Sequence, residues 1–203
     1  MRRLIAKEKR VRAYPLDINN AFDLHLYQFT KTSNYQLIVF MKLQFFFYNN
    51  DPHFWTVEEC EEFVQEWEFH VKEAWGNKVL MELSDGKKVY FNFDFKIKMG
   101  GWMLDHWEIN VTKIEPGSFS ISFVQPAYGQ VHLDSEDLSY ITGQRGAIHE
   151  FGHMLGLNDE YNRKEHFFDV SSIMHSAGEK IRDRHLKQFK DWVLEKLELS
   201  LAG

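Results

Sequence analysis

Two histidines and a glutamate within five consecutive positions are the residues best suited to chemistry. His149, Glu150 and His153 lie in the segment His-Glu-Phe-Gly-His, and an apolar repeat at 148, 151 and 155 predicts that this segment is helical. Residues four apart lie one turn above each other on a helix, so both imidazoles can bind one metal ion. Glu150 lies about 100 degrees round the helix from His149. Its carboxylate can therefore reach a water molecule beside the ion and act as a general base.

A glycine and an acid follow the second histidine at a spacing that allows a third metal ligand. Gly156 lies three residues after His153, where it can end the helix and let the chain reverse. Asp159 is the first ligand-type side chain beyond that reversal. Two neutral imidazoles and one carboxylate, with a position open for water, are typical of a catalytic zinc site. The sequence therefore predicts one catalytic Zn²⁺ held by His149, His153 and Asp159, with Glu150 as the base.

The segment HEFGHMLGLND resembles the zinc signature of the metzincin metalloproteases, His-Glu-x-x-His-x-x-Gly-x-x-His or Asp. It is most similar to the Asp form of snapalysin-like enzymes. Metzincins also have a methionine in a tight turn under the zinc, and Met174 lies where that turn is expected. The resemblance implies that Met174 forms an apolar floor beneath the ligands. Many members place a tyrosine two residues after the methionine, but here that position is Ser176. Tyr161 and His175 are the candidates to stabilise the transition state instead.

The resemblance extends over about residues 35–198 and implies both a fold and an activity. The implied fold is α+β, with a mixed twisted β-sheet, an N-terminal helix, an active-site helix and a C-terminal helix. The implied activity is that of an endopeptidase, acting on a protein or peptide with metal-activated water. In metzincins the substrate pairs with an exposed sheet edge, and the segment 118–124, where serines alternate with apolar residues, is the candidate edge.

Two other hypotheses stay open at this point. One is a zinc peptidase of another type, with a third ligand other than Asp159 drawn from Glu160, Glu165, His166 and His185. The other is a binding module that retains zinc for folding without turnover. Glu150 argues against such a module, because a structural zinc site has no use for an acid next to its first ligand.

The elements that must position these residues are indicated by periodicity and by capping signals. An almost continuous apolar run predicts a long buried strand over 35–48. Thr56 and Glu59 form a capping box that begins a helix over 56–75, and Gly76 ends it. Further strands are predicted over 79–83, 89–97, 107–114, 118–124 and 129–133. Two more helices are predicted, the motif helix over 142–155 and a last helix over 177–198 that Ser176 and Glu179 would cap.

The length of 203 residues predicts one catalytic unit rather than two independent domains. Residues 1–34 have mixed polarity and are predicted to be an N-terminal arm or linker with at most one short strand. Residues 35–203 are predicted to form a single metalloprotease domain. Its upper part would be 35–156 and its lower part 157–203, with the cleft between them.

Composition and charge exclude several classes of function. The net charge of −6 and the lack of a long basic block argue against a nucleic-acid partner. A single cysteine, Cys60, excludes an internal disulfide and a cysteine-ligated zinc. No secretory signal is recognisable and no run of about 18 apolar residues predicts a membrane span. We therefore expect a cytoplasmic protein, or a toxin or effector exported by a signal-independent route.

Overall fold

The longest apolar run of the sequence forms the central strand of one mixed β-sheet. The computed structural model describes residues 1–102, 106–139, 145–162, 164–176 and 178–201. Within these ranges the strands are β1 (Arg2–Ala13), β2 (Ile18–Phe29), β3 (Tyr35–Tyr48), β4 (Lys78–Glu82), β5 (Lys88–Met99), β6 (Trp107–Thr112), β7 (Phe123–Gln125) and β8 (Gln130–Asp134), and the helices are α1 (Val57–Trp75), α2 (Gly146–Met154) and α3 (Lys187–Leu201). The expected α+β class with a mixed sheet is confirmed.

The central strand β3 is paired along both of its edges. β5 runs parallel to it on one edge, while β2 pairs antiparallel with the first half of the other edge and β6 pairs parallel with the second half. β1 lies beyond β2, β4 beyond β5, and β8 and then β7 beyond β6. The strand predicted over 35–48 is confirmed at both ends, because a strand with neighbours on both edges reads as a nearly continuous apolar run.

Helix α1 is confirmed together with its capping box. The Thr56 hydroxyl accepts a hydrogen bond from the Glu59 backbone, and the Glu59 carboxylate accepts one from the Thr56 backbone. Gly76 follows its last turn, where a Cβ would lie 2.9 Å from the carbonyl oxygen of Lys72. The buried face of the helix consists of Phe63, Trp67, Val71 and Trp75. This face packs the helix against the sheet, since Trp67 contacts the ring of Phe45 on β3.

The N-terminal segment is part of the sheet, so the prediction of an arm or linker over 1–34 is wrong. β1 and β2 form an antiparallel hairpin, and β2 pairs with β3 from Asp23 to Gln28. The charges that suggested a solvated arm belong to an edge strand, where charged side chains oppose pairing with other chains. Register shifts between Leu4 and Ala6 and between Glu8 and Val11 also interrupt the alternation that would have indicated a strand.

The strand predicted over 118–124 is largely absent, because only Phe123–Gln125 pairs with β8. In the preceding segment the backbone amides bond to other groups. Gly117 donates to the Glu136 carboxylate and Ser120 to the Asp134 carboxylate. The alternation of serines with apolar residues therefore follows a loop fixed by acidic side chains, and the sequence pattern alone could not distinguish it from a strand.

The last helix begins later than predicted. Residues 178–182 are extended, with Lys180 bridged in parallel to Ser172, and a short 3₁₀ turn over Asp183–Leu186 leads into α3. The predicted cap of Ser176 and Glu179 is wrong, because Glu179 accepts hydrogen bonds from Arg145 instead. Of the predicted range, residue 177 lies outside the described part.

The other predicted elements are confirmed within a few residues. They are the hairpin of β4 and β5, the strands β6 and β8, and the motif helix α2, which spans 146–154 rather than 142–155. The predicted start at 142–144 lies outside the described residues. One hydrophobic core joins all of these elements, and the ring of Phe189 on α3 lies 5.5 Å from Phe22 and 5.0 Å from Phe91. Among the described residues, no helix combines the length and apolar character needed to cross a membrane.

Candidate metal centre

Helix α2 is fixed in the core by the face opposite its histidines. Phe151 is fully buried, with its ring 5.1 Å from Phe93 and 5.8 Å from Trp67. The indole nitrogen of Trp75 donates a hydrogen bond of 3.0 Å to the carbonyl of Ile148. These contacts leave the helix little freedom to rotate about its axis, so the face with the two histidines is held towards the cleft.

Backbone carbonyls fix both imidazole rings of the motif. His149 Nδ1 lies 2.8 Å from the carbonyl oxygen of Ile173, and His153 Nδ1 lies 2.7 Å from that of Leu157. A carbonyl oxygen can only accept, so both Nδ1 atoms carry the proton. In the neutral rings each Nε2 atom then carries a lone pair, which is the usual arrangement of metal-binding histidines.

Asp159 meets both of these nitrogens. Its Oδ1 lies 3.1 Å from His149 Nε2 and 3.3 Å from His153 Nε2, and all three ligand atoms lie within 4.8 Å of one another. Two lone pairs and a carboxylate oxygen that converge in this way repel one another unless a cation or a proton lies between them. The donor set of two imidazoles and one carboxylate fits Zn²⁺, whereas Ca²⁺ and Mg²⁺ prefer oxygen ligands alone.

The protonation equilibria of the cluster reflect the same convergence. Burial by itself would raise the pKa of Asp159, but hydrogen bonds from His149 and His153 outweigh burial and hold the pKa well below its usual range. Burial would lower the pKa of His153, yet its hydrogen bond with Asp159 and the charge of Glu150 raise it. The carboxylate of Asp159 thus favours positive charge at the nitrogen of His153, as it would favour a cation between the ligands.

Glu150 is the buried acid beside this cluster. Its side chain is 7% exposed, and its Oε2 has no hydrogen-bond partner among the described residues. Burial raises its pKa, while the charges of His153 and His149 act in the opposite direction. A desolvated carboxylate with one oxygen that lacks a partner is a stronger base than one in water, which suits a group that accepts a proton.

The turn after α2 depends on a glycine at position 156. Gly156 has φ of +91°, a conformation that favours glycine. A Cβ at this position would lie 2.7 Å from the carbonyl carbon of Ala13 and from the nitrogen of Tyr14. The carbonyl of Gly156 also accepts a hydrogen bond of 2.8 Å from the amide of Leu16. The chain can therefore reverse towards Asp159 only because a side chain is missing where the β1–β2 turn passes.

Met174 packs beneath α2 against Gly152, a second glycine whose lack of a side chain makes room for a neighbour. Met174 is fully buried, and a Cβ at Gly152 would overlap its sulfur and lie 3.0 Å from Trp75. The carbonyl of Met174 accepts a hydrogen bond of 2.8 Å from the amide of Glu160. The methionine thus packs against the helix backbone between the two histidines and also holds the segment that carries Asp159.

The carboxylate of Glu160 anchors the same segment from the other side. It accepts two hydrogen bonds of 2.7 Å from Arg184 and one of 3.1 Å from His185 Nε2. Burial by itself would raise the pKa of Glu160, but the hydrogen bonds from Arg184, Ser172 and His185 lower it to about 2. Glu160 and His185, two of the alternative third ligands, pair with each other instead. Glu165 and His166 do not join the cluster of ligand atoms in the described part of the chain.

Tyr161 lies at the metal cluster and His175 lies behind it. The Tyr161 hydroxyl donates to Asp159, and burial together with this hydrogen bond raises the pKa of Tyr161 to about 12. The ring of His175 lies 6.1 Å from that of Tyr161. Its Nε2 faces the carbonyl of Phe167, and its Nδ1 accepts from the amide of Ser176. Of the two candidates for transition-state stabilisation, only Tyr161 lines the cleft.

The cluster opens into a cleft of about 400 Å³. Its apolar wall is formed by Leu16, Ile121, Phe123, Val124 and Pro126. Ile121 is 77% exposed and Phe123 is 42% exposed, so this wall is available to a ligand. Leu16 was assigned to an N-terminal arm from the sequence, and its place in the wall was not predicted.

An acidic turn connects this wall to the start of α2. The Asp137 carboxylate accepts hydrogen bonds from the Ser122 hydroxyl and the Asp134 amide, and its carbonyl accepts from the amide of Ala147. Burial, then the nearby charges of Asp134 and Glu150, raise the pKa of Asp137 to about 7. This carboxylate therefore fixes the loop above the cleft and the first turn of the motif helix together.

Comparison with known proteins adds no further constraint. No model of a protein family matches the chain, and no curated protein matches it in sequence. The site must accordingly be judged on its own geometry. Sequence reasoning missed the carbonyls of Ile173 and Leu157 as partners of the histidines, because a backbone group leaves no signature in residue types. It also missed the anchoring role of Glu160, for which the adjacent acid after Asp159 was the only signal.

Proposed function

We propose that this chain is a zinc-dependent endopeptidase of the metzincin type. The observation that carries the proposal is the convergence of His149 Nε2, His153 Nε2 and Asp159 Oδ1 beside the buried carboxylate of Glu150, whose Oε2 has no hydrogen-bond partner among the described residues. His149, His153 and Asp159 would hold the ion. When bound, Zn²⁺ supplies Lewis acidity that polarises a carbonyl group and makes water more acidic.

Glu150 acts as general base and then as general acid in this proposal. Its carboxylate takes a proton from the attacking water, whose oxygen bonds to the carbonyl carbon of the scissile peptide. The same proton then passes to the leaving amine as the C–N bond breaks. No side chain of the cleft is required as a nucleophile. The raised pKa of Glu150 supports both steps, because the group must gain and release a proton at one pH.

The metzincin assignment rests on features of the chain itself. The motif HEFGHMLGLND supplies the ligands and the base, and Met174 packs beneath them as the resemblance implies. Where many metzincins have a tyrosine after the methionine, Ser176 stands here, and Tyr161 takes over the stabilising role. Its hydroxyl lies at Asp159, from which it can donate to the oxyanion of a tetrahedral intermediate.

The substrate of the proposed enzyme is an extended polypeptide. β7 (Phe123–Gln125) ends the sheet on the side of the cleft, and its outer edge can pair with a peptide strand. This edge replaces the longer one expected over 118–124. Since Ile121 and Phe123 are exposed in the apolar wall, apolar side chains next to the scissile bond would be favoured.

The proposal is tested by separating metal binding from turnover. Glu150→Gln should retain one zinc per chain, measured by elemental analysis, and lower kcat/KM on a mixed peptide library by about 10²–10⁴-fold. Glu62→Gln, on the exposed face of α1, is the matched control and should change neither quantity. Asp159→Ala should lose zinc. A chain that binds no zinc, or a Glu150→Gln variant as active as wild type, would refute the proposal.

A further inference from the structure

Three neighbouring cavities form a path that leads away from the metal cleft. The cleft of about 400 Å³ shares Leu16 and Pro126 with a second cavity of about 630 Å³. That second cavity shares Asn20 and His106 with a third of about 480 Å³. Because neighbouring cavities share lining residues, the three follow one another along the protein, and an extended ligand bound in the cleft would run towards the third cavity.

The third cavity is strongly basic. We call it the basic cavity, and its cationic side chains are those of Lys7, Lys9, Arg10 and Lys42. Lys9 and Arg10 lie at a β-bulge, where they take the place of one residue opposite Asp23 on β2. This bulge directs two consecutive side chains to the same cavity. On β5, Lys96 is in register with Lys42 and Asp94 with Phe40, so the neighbouring strand adds one charge of each sign.

These cations are not neutralised within the protein. None of the four forms an ion pair in the part of the chain that the structure describes, whereas Arg182 and Arg184 are paired with Asp169. The only carboxylate lining the cavity among the described residues, Asp23, accepts a hydrogen bond from the backbone of Arg10 and faces His106 at 3.4 Å. A chain of net charge −6 thus keeps four cations around a single carboxylate in the described lining of this cavity.

We propose that the basic cavity is an exosite for an acidic segment of the polypeptide substrate. This inference rests on the proposed endopeptidase function, because the row of adjoining cavities begins at the cleft in which the peptide bond would be cleaved. Carboxylate side chains at some distance from the scissile bond would then bind Lys7, Lys9, Arg10 and Lys42. The connecting cavity is lined by the amides of Asn19 and Asn20 and by the carboxylates of Asp17 and Glu108. Asp17 pairs with Arg12 and Glu108 accepts a hydrogen bond from Gln130, so the intervening residues of the substrate should be uncharged.

An acidic peptide fits the cavity better than a nucleic acid or a membrane surface. A volume of about 480 Å³ accommodates a few side chains, and its four cations are too few and too confined for the clustered positive face that binds a nucleic acid. The attraction is electrostatic and only partly buried, so it should raise the association rate and should weaken with salt. The exosite would therefore select among proteins that share the same residues at the cleavage point.

The experiment compares peptide pairs that contain the same cleaved sequence and carry a run of either glutamates or glutamines. The run is placed on each side of the scissile bond in turn, at increasing spacings. At the best spacing, the kcat/KM of the wild-type chain should be about tenfold or more higher for the glutamate peptide than for the glutamine peptide, mainly because KM is lower. The double variant Lys9→Glu/Lys42→Glu should reduce this ratio to near one. Lys31→Glu/Lys88→Glu, which makes the same charge change outside the cavity, should preserve it.

Direct binding separates the failure of the exosite from the failure of the proposed function. The full-length Glu150→Gln chain should bind a labelled glutamate peptide, measured by fluorescence anisotropy, and Lys9→Glu/Lys42→Glu should abolish this binding. If the chain binds the glutamate peptide but the wild type cleaves no peptide, the proposed endopeptidase activity is overturned, while the basic cavity still stands as a binding site for acidic peptides. Cleavage with a ratio near one and no binding would overturn the exosite alone. Tighter binding of a single-stranded oligonucleotide, or of phosphatidylserine vesicles, through the same lysines would overturn its assignment to a peptide.

Discussion

Substitution of Gly156 by alanine tests whether the chain reversal after α2 controls the proposed metal site. The left-handed backbone at φ of +91° costs an alanine about 1–2 kcal/mol relative to glycine. Part of this, about 0.4–1 kcal/mol, is offset because the unfolded chain loses conformational freedom. The new Cβ would also lie 2.7 Å from Ala13 and Tyr14, and such overpacking costs about 1–3 kcal/mol more. We expect Gly156→Ala to lower the free energy of unfolding by about 2–4 kcal/mol.

The matched control is Gly86→Ala in the turn between β4 and β5. Gly86 has φ of +79° and nothing within 4 Å of a Cβ placed on it. Alanine at this position therefore meets the cost of the left-handed backbone but no steric clash. In urea denaturation of the metal-free chains, Gly86→Ala should lower the free energy of unfolding by about 1 kcal/mol. Gly156→Ala should in addition weaken zinc binding by about tenfold or more in a chelator competition, because it displaces Asp159. Equal losses of stability in the two variants, or unchanged zinc affinity in Gly156→Ala, would refute this account.

Two further substitutions test the anchoring of the Asp159 segment. The folded pKa of Glu160, about 2, is lower than its usual value of 4.5, so its ion pair stabilises the fold above pH 4.5 and this contribution is lost as the pH falls towards 2. Glu160→Gln should therefore lower the free energy of unfolding by about 3 kcal/mol at pH 7. In urea denaturation across pH, the difference from wild type should shrink between about pH 4.5 and 2. A difference that stays constant with pH would contradict the ion pair. Met174→Leu should lower the free energy of unfolding by less than about 1.5 kcal/mol and Met174→Ala by about 2–5 kcal/mol. Zinc affinity should fall more in the alanine variant. Equal effects of the two substitutions would show that the space beneath α2 is not tightly packed.

The elements that the sequence predicted well are those with an unmistakable local signal. The run over 35–48 could only be a strand buried on both edges, and the capping box of Thr56 and Glu59 marks the start of α1 within one residue. The spacing of His149, His153 and Asp159 similarly brought the three ligand atoms together, because a helix and a glycine turn leave few other arrangements. In each case the residues that determine the structure lie close together in the chain.

The elements that the sequence did not predict depend on partners distant in the chain. The loop before β7 has the alternation of a strand, but the carboxylates of Asp134 and Glu136 bind its amides. The segment 178–182 has the residues of a helix cap, but it pairs instead with Ser171 and Ile173. Charged residues obscured β1, because an edge strand needs charges that in isolation indicate a solvated arm. Local propensity could not anticipate these tertiary contacts.

The N-terminal hairpin supplies a part of the site that the zinc motif cannot provide. Its turn packs against Gly156 through Ala13 and Tyr14, and Leu16 both donates a hydrogen bond to Gly156 and lines the cleft. The side chain of Gln188 on α3 holds the same turn by hydrogen bonds to Tyr14 and Arg12. The glycine at 156 is therefore required by a strand that precedes it by more than a hundred residues. The position of Asp159, and with it any metal affinity, depends on the packing of three segments that are far apart in the chain.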